Sequence, residues 1–285
     1  MTRRRLDAEL VRRGITPTLA EAELAVARGI VLVGGRAAEK PSTLVDPADA
    51  VELVGPADGF VSRGGFKLDA ALERSSIQVA GRSALDAGAS TGGFTDCLLR
   101  RGAARVATVD VGYGQLDWSL RTDPRVLVLE RTNVRDLRPD TLPFPPEIVV
   151  ADLSFISLRL VIPVFADVSS DDADVVLLVK PQFEALREEI EPGGVVRDID
   201  VWARTIGEVA DACTAAGLTP LGVTASPIAG PAGNVEFLLH AAKHSVHGPP
   251  DIARAIAEGR DVAAGTTNGS EPVAVDHRQM GGDAR

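Results

Sequence analysis

Cysteines, positive charges and long apolar runs are all scarce in this 285-residue chain. Cys97 and Cys213 match no metal-ligand spacing, so the sequence predicts neither a disulfide framework nor a metal site. No stretch approaches the roughly 20 apolar residues of a membrane span, and no signal peptide is recognisable, so we expect a cytoplasmic protein that does not bind membranes. The formal net charge of -10 argues against a surface that holds nucleic acid on all sides.

A short basic segment at the start of the chain departs from this acidic average. Its five arginines face only two acidic residues, which leaves a net charge of about +3 over residues 1–13. Apolar spacing predicts helices over 5–14 and 18–28, and the glycine pair that follows residues 30–33 predicts a hairpin. We therefore expect a small α+β domain at residues 1–55 and a linker at 56–62.

Strands and helices then alternate, which predicts an α/β domain with a doubly wound, mainly parallel sheet over residues 63–242. The strands are expected near 82–86, 105–110, 126–130, 147–152, 174–180, 219–225 and 234–241. The helices are expected near 66–75, 92–101, 115–121, 157–168 and 201–216. The last connection is too short for a helical crossover, so the last strand should be antiparallel. Residues 243–285 should form a disordered tail with at most a short helix near 251–258.

Four of the predicted strands end on a charged residue. These residues are Asp86, Asp110, Asp152 and Lys180. A charge after a strand is ordinarily only the exit of the chain into solvent. However, the carboxyl ends of parallel strands meet at one edge of a sheet, where ligands bind, so four such charges in succession predict a polar crevice there. Glu236, at the beginning of the antiparallel strand, should lie at the same edge.

The first of these strands leads into its helix through Asp-Ala-Gly-Ala-Ser-Thr-Gly-Gly at residues 86–93. Such a turn lets the backbone approach a ligand and exposes the unpaired N–H groups of the helix start. The glycine spacing differs from the Gly-x-Gly-x-x-Gly of dinucleotide sites, and a carboxylate before the first glycine repels a pyrophosphate. This favours S-adenosylmethionine, which carries an ammonium and a sulfonium, over a dinucleotide. A glycine-rich turn without any ligand remains the third interpretation.

Lys67, Asp152, Lys180 and Glu236 form a second group of interest. Singly, they have structural explanations as a solvated helix residue, a helix cap, a strand exit and a salt-bridge partner. Together, two amines and two carboxylates beside a cofactor have a chemical use, since a positioned lysine can deprotonate a sugar hydroxyl that attacks a methyl sulfonium. Methyl transfer otherwise requires mainly that the reacting atoms be held in contact.

Seven segments of the chain resemble the TlyA family of ribosomal RNA 2'-O-methyltransferases, often labelled hemolysins, whose catalytic part is similar to the FtsJ-like methyltransferases. The matching segments are 61–68, 85–94, 110–116, 151–157, 178–184, 192–196 and 230–237. They occur in the family's order, within a resemblance that covers residues 1 to about 242. The implied fold is a Rossmann-like methyltransferase domain preceded by a small RNA-binding domain of the kind found in a ribosomal protein.

The resemblance also implies roles for individual residues. It implies a catalytic tetrad of Lys67, Asp152, Lys180 and Glu236, with Lys180 as the base for the ribose hydroxyl. It implies contacts with S-adenosylmethionine at Asp86, Gly88, Ser90, Thr91, Gly92, Gly93, Phe94, Asp110, Asn133, Val134 and Asp152. The candidates for RNA phosphate contacts are Arg3, Arg4, Arg5, Arg12, Arg13, Arg28 and Arg36. The implied substrate is a cytidine ribose in the RNA of ribosomal subunits, and we expect a monomer without metal.

Three other functions stay open at the level of sequence. A non-catalytic RNA-binding assembly factor would retain the fold and bind subunits without turnover. A cytolysin is suggested only by the hemolysin label, and the lack of a membrane-spanning or strongly amphipathic segment speaks against it. A dehydrogenase would be distinguished by stabilisation with NAD instead of S-adenosylmethionine.

Overall fold

The structure is a computed structural model that describes residues 3–16, 18–27, 29–53, 59–230, 232–243 and 248–265. It contains a small N-terminal α+β domain and a larger α/β domain. The α/β class and the separate N-terminal domain predicted from the sequence are confirmed.

The N-terminal domain packs two helices on two small antiparallel sheets. Its elements are β1 (Arg4–Arg5), α1 (Leu6–Arg12), α2 (Leu19–Ala27), β2 (Val31–Val33), β3 (Arg36–Ala37), β4 (Leu44–Val45) and β5 (Val51–Leu53). Strand β1 pairs with β4, and β2 lies between β3 and β5. The predicted hairpin joins β2 to β3 through Gly34 and Gly35, which both have positive φ, as a tight hairpin turn requires. The core of this domain includes Leu6 and Leu10, which lie on one face of α1.

A seven-stranded sheet forms the centre of the larger domain, in the order β11-β12-β10-β9-β6-β7-β8. The strands are β6 (Ser83–Ala87), β7 (Arg105–Asp110), β8 (Val126–Glu130), β9 (Ile148–Ala151), β10 (Asp174–Val179), β11 (Leu218–Ala225) and β12 (Phe237–Lys243). Five neighbouring strands, from β10 to β8, are parallel, whereas β12 runs antiparallel to both β10 and β11. The predicted antiparallel last strand is therefore confirmed.

Helices cover both faces of this sheet. They are α3 (Gly64–Arg74), α4 (Gly93–Arg100), α5 (Trp118–Arg121), α6 (Ile162–Val168), α7 (Pro181–Glu184), α8 (Ile199–Ala215) and α9 (Ile252–Ala263). Alternate residues of a strand face opposite sides of a sheet. Accordingly, Val176 and Leu178 of β10 pack in the core beside α3 and α4, whereas Val175 and Leu177 pack in the core beside α6 and α8. This burial on both faces explains why the central strands are almost wholly apolar.

Two predicted elements differ from the structure. The helix expected over 157–168 is instead a 3₁₀ turn at Leu158–Leu160 followed by α6. Pro163 lies in the first turn of α6, where its missing N–H costs no hydrogen bond, whereas in the interior of a longer helix it would break one. The last strand begins at Phe237 and not at 234, because Asn234 uses its side chain to join two loops.

The short helix expected near 251–258 is present but longer than predicted, and the disorder expected beyond it is wrong for residues 259–263. Residues 252–263 form α9, which packs on β11 and α8 and buries Ala255 completely. Residues 244–247 and 266–285 of the predicted tail, like residues 56–58 of the predicted linker, lie outside the described residues. Within the described part of the chain, no helix has both the length and the apolar character needed to cross a membrane.

Candidate active site

Four charged residues from different parts of the chain meet at the carboxyl edge of the parallel strands. Asp152 and Lys180 directly follow the adjacent strands β9 and β10. Glu236 directly precedes β12, the antiparallel neighbour of β10, and Lys67 reaches the group from α3. The predicted crevice is present and contains all four residues of the tetrad that the resemblance implied. Asp86, which the same strand-end argument placed in it, is instead completely buried.

Lys67 and Glu236 form a buried ion pair. The Lys67 Nζ lies 2.5 Å from Glu236 Oε2, and both side chains are almost wholly buried. Gly230 passes so close that a Cβ atom there would lie 2.6 Å from Glu236 Oε1. Glu236 therefore has no room to move toward Gly230, and its carboxylate stays beside the Lys67 amine.

Lys180 and Asp152 form a second, more accessible pair. The Lys180 Nζ lies 2.6 Å from Asp152 Oδ1 and 3.2 Å from Ser154 Oγ. The ammonium also lies 5.8 Å from the ring centre of Phe183. The side chain of Asp152 is 25% exposed and that of Lys180 is 11% exposed, so this amine can meet a ligand.

Two neighbouring cavities, each of about 500 Å³, open at this site. We name them the Lys67 cavity and the Asn133 cavity. The Lys67 cavity is lined by all four charged residues, whereas the Asn133 cavity follows the ends of β7 and β9. Gly88, Ser90, Asp152 and Ser154 line both. These four residues form the shared wall, and two ligands, one in each cavity, would both contact it.

The residues expected to contact a cofactor fall into three groups. The Asn133 cavity is lined by Gly88, Ser90, Asp110, Asn133, Val134 and Asp152. The Lys67 cavity is lined by Thr91, Gly93 and Phe94, in addition to the residues of the shared wall. Asp86 and Gly92 line neither cavity. Asp86 is completely buried, and Gly92, with a φ of +98°, packs against Leu116 and Leu120.

The turn after β6 has a shape and charges that fit S-adenosylmethionine. Gly88 has a φ of +87°, and a Cβ atom there would lie 2.4 Å from the backbone oxygen of Asp152, so only glycine lets these two segments meet. Asp110 accepts hydrogen bonds from the backbone N–H groups of Ser90 and Gly112, and its remaining lone pairs can accept the hydroxyls of a ribose. Asp86 Oδ1, beneath the turn, has no hydrogen-bond partner among the described residues. The side chain is completely buried, so it favours a cationic ligand through its charge and not by contact.

The arginines expected to bind RNA do not all have free guanidinium groups. Arg5 is paired with the buried Asp7, and Arg12 with the buried Glu9. Hydrogen bonds from Arg12 and Arg13 lower the pKa of Glu9 to about 2.

Arg13 also donates to the backbone oxygens of Asp49 and Pro47, which favours a structural role for this side chain. Arg3, Arg4 and Arg36 are exposed, and the described residues offer them no ion pair. Arg28 lies outside the described residues.

Three further residues at the site were not selected from the sequence. Arg63 lines the Lys67 cavity, where it donates to the backbone oxygen of Ala229, while its buried Nε has no partner among the described residues. Ser154 lies on the shared wall. Phe155 has a positive φ and a side chain that is 91% exposed, beside the ring of Phe183. All three lie within the segments that carry the resemblance, but none is a charged residue at the end of a strand, so the strand-end pattern does not indicate them.

The N-terminal domain contributes to the same site. Gly29, Ala37 and Glu39 line the Lys67 cavity opposite the α/β domain. A Cβ atom on Gly29 would lie 3.6 Å from the side chain of Arg63, so the two domains approach closely there. A ligand of the Lys67 cavity would therefore touch both domains.

Comparison with known proteins gives one match for each domain. Residues 60–243 match the family model of the FtsJ-like methyltransferases. Residues 4–51 match the model of the S4 domain.

Individual relatives match over both domains. A protein of Mycobacterium tuberculosis named 16S/23S rRNA (cytidine-2'-O)-methyltransferase TlyA is 52% identical over 238 residues, which is 83% of this chain and 89% of that protein. Hemolysin A of Brachyspira hyodysenteriae is 35% identical over 237 residues, or 83% of this chain and 98% of that protein. A solved structure from Streptococcus thermophilus, labelled as a hemolysin, is 36% identical with a TM-score of 0.73 and covers 93% of this chain and 98% of that one.

Proposed function

This chain belongs to the TlyA family of FtsJ-like methyltransferases, and on that basis we propose that it transfers a methyl group from S-adenosylmethionine to the 2'-oxygen of a cytidine in ribosomal RNA. One observation carries the proposal: both charged pairs line the Lys67 cavity, and Asp152 also lies on the wall that this cavity shares with the Asn133 cavity. The Asn133 cavity is assigned to the cofactor and the Lys67 cavity to the target nucleotide.

One of the four charged residues is the base, and the other three position either that base or the nucleotide. When bound, S-adenosylmethionine supplies a methyl group on a positively charged sulfur, and the sulfur becomes part of a neutral thioether once the methyl group is transferred. Lys180, in its neutral form, takes the proton of the ribose hydroxyl as the ribose oxygen bonds to the methyl carbon. Asp152, 2.6 Å away, holds this amine at the shared wall. The Lys67–Glu236 pair supplies a fixed polar wall against which the nucleotide is oriented.

Several features of the Lys67 cavity suit an RNA strand. Arg63 lines the Lys67 cavity, and the positive charge of its guanidinium favours a phosphate group there. Outside this cavity, where Phe155 follows Ser154 and lines the Asn133 cavity, its exposed ring offers a face on which an unstacked base can lie. Arg4 and Arg36 of the N-terminal domain extend the contact to the RNA backbone. We infer that the protein acts as a monomer in the cytoplasm, where ribosomal subunits are found.

The proposal is tested by the transfer of labelled methyl groups to unmodified small and large ribosomal subunits. Wild type should label RNA, whereas Lys180→Ala should lower the rate at least 100-fold because the base is lost. Lys243→Ala is the matched control, since this lysine donates to the backbone oxygen of Ser169 at the opposite edge of the sheet. Binding of subunits by wild type without any transfer would contradict the proposal and favour the non-catalytic assembly factor.

A further inference from the structure

The Lys180 amine has two hydrogen-bond acceptors of different kinds. Asp152 Oδ1 lies 2.6 Å from Nζ, and Ser154 Oγ lies 3.2 Å from it. Ser154 is exposed, because both cavities open onto it. A cofactor and a nucleotide that filled these cavities would remove the water around Ser154 and leave its hydroxyl as the second acceptor.

The number of acceptors matters because a lysine base reacts as a neutral amine. That amine has two N–H bonds and one lone pair in a tetrahedral arrangement. If Asp152 and Ser154 each accept one N–H, the lone pair is left to point elsewhere, and the open direction is the Lys67 cavity. With only one acceptor, the amine can turn about its last carbon–nitrogen bond, and the lone pair loses its direction.

We propose that Ser154 is a positioning residue that, together with Asp152, holds the N–H bonds of the Lys180 amine so that its lone pair faces the ribose hydroxyl. This inference rests on the proposed function. In the step that it serves, the hydroxyl O–H bond breaks and the proton passes to the lone pair of Lys180, which becomes an ammonium. The ribose oxygen forms a bond with the methyl carbon, and the electrons of the carbon–sulfur bond remain on sulfur. Water later removes the proton from Lys180.

Kinetic comparison of Ser154→Ala, Ser154→Thr and wild type tests the positioning role. Ser154→Ala should lower kcat about 10-fold or more, since misplacing a reacting group by a fraction of an ångström slows the chemistry without removing it. KM for ribosomal subunits and Kd for S-adenosylmethionine should stay within about twofold. Ser154→Thr retains the hydroxyl and should restore most of kcat.

The matched control is Ser170→Ala. Ser170 is a surface serine whose hydroxyl donates to Asp172, away from both cavities. An unchanged kcat in Ser154→Ala, or a loss expressed only in KM or in cofactor Kd, would overturn the assignment. All variants should unfold at the wild-type temperature, because Ser154 is exposed.

A structural readout separates this inference from the proposed function. Crystal structures of wild type and Ser154→Ala with S-adenosylhomocysteine should show one position for the Lys180 amine in wild type and several in the variant. A single, unshifted Lys180 in the variant would overturn the positioning role. This comparison decides the matter even if wild type transfers no methyl group to RNA, which would refute the proposed function alone.

Discussion

Asp86 shows how one residue can oppose the stability of the fold that contains it. Its carboxylate is completely buried, with Oδ2 accepting a hydrogen bond from Thr95 Oγ1 at 2.6 Å. Within the described part of the chain, Oδ1 has no hydrogen-bond partner. Burial raises its pKa to about 7, which the Thr95 hydrogen bond partly opposes and the charge of Asp152 reinforces. The native state therefore holds a proton that the unfolded chain releases near pH 4, so stability falls as the pH rises from 4 to 7.

We expect Asp86→Asn to stabilise the ligand-free protein at pH 8 and to have little effect at pH 5. The amide removes the buried charge, whose cost at high pH is at most about 4 kcal/mol. Thermal unfolding at both pH values measures the difference, and the gain in Tm should be several degrees larger at pH 8. Equal changes at the two pH values would show that Asp86 is not the titrating group.

At the scale of elements, the turn between β6 and α4 depends on Gly88 for two separate reasons. Gly81, which lies before β6, serves as a comparison because both glycines have left-handed backbone conformations, with φ of +79° at Gly81 and +87° at Gly88. At Gly81 nothing lies within 4 Å of an added Cβ, whereas at Gly88 the Asp152 oxygen lies at 2.4 Å. Backbone strain is thus shared by the two positions, but only Gly88 also permits the contact between the β6 turn and the β9 loop.

Gly81→Ala should therefore cost about 1 kcal/mol and retain cofactor binding. Gly88→Ala should cost about 2 kcal/mol or more and weaken cofactor binding at least 10-fold, because the shared wall of the two cavities must shift. Denaturant unfolding and calorimetric titration with S-adenosylhomocysteine measure the two effects. Equal losses in both variants would mean that strain alone, and not the close approach, makes Gly88 necessary.

Elements that carry a strong local pattern could be predicted from the sequence. Strand β7 lies at the expected residues because a buried parallel strand is a short, uninterrupted apolar run. The meeting of Asp152, Lys180 and Glu236 could also be predicted, since strand direction alone brings those positions to one edge. The 3₁₀ turn before α6 could not, because it depends on how Ser157 and Leu158 bind the buried Glu184.

The helix α9 shows a different limit of sequence reasoning. The sequence predicts a short helix near 251–258, but this segment is rich in small and charged residues and resembles a solvated tail. Its place on the sheet depends on distant partners: Glu258 accepts hydrogen bonds from Arg74 of α3 and from Thr224 of β11. Gly259 lets the helix pass within contact distance of Phe237. Pairings over such sequence separations leave no local signal.

At the scale of the whole molecule, an acidic protein approaches an acidic substrate. The net charge of -10 repels RNA, so binding depends on a few arginines that the fold leaves unpaired. Within the N-terminal domain, Asp7 and Glu9 neutralise the charges of Arg5 and Arg12, so less positive charge is available to RNA than the sequence suggested. The number of charges was visible in the sequence, but their pairing was not, because it depends on the folded positions of Asp7 and Glu9.

Arginines with and without partners should therefore behave differently. Arg4→Ala and Arg36→Ala should each weaken the binding of ribosomal subunits and reduce the slope of log K against log salt by about 1. Arg13→Ala should lower Tm instead, because the side chain holds three carbonyl groups of the 46–49 loop. Binding titrations over a range of salt concentrations measure the slope. Arg260→Ala, on the exposed face of α9, is the control for lost charge, and a slope reduced equally by this variant would contradict the assignment.

The identity of the methylated atom tests the whole account most directly. Ribosomal RNA treated with the protein and deuterated S-adenosylmethionine can be digested to nucleosides and analysed by mass spectrometry. The arrangement of Lys180 at the wall between the two cavities predicts the label in 2'-O-methylcytidine with wild type and its absence with Lys180→Ala. Label on a base, or label that persists without Lys180, would contradict both the reaction and the residue that we assign to it.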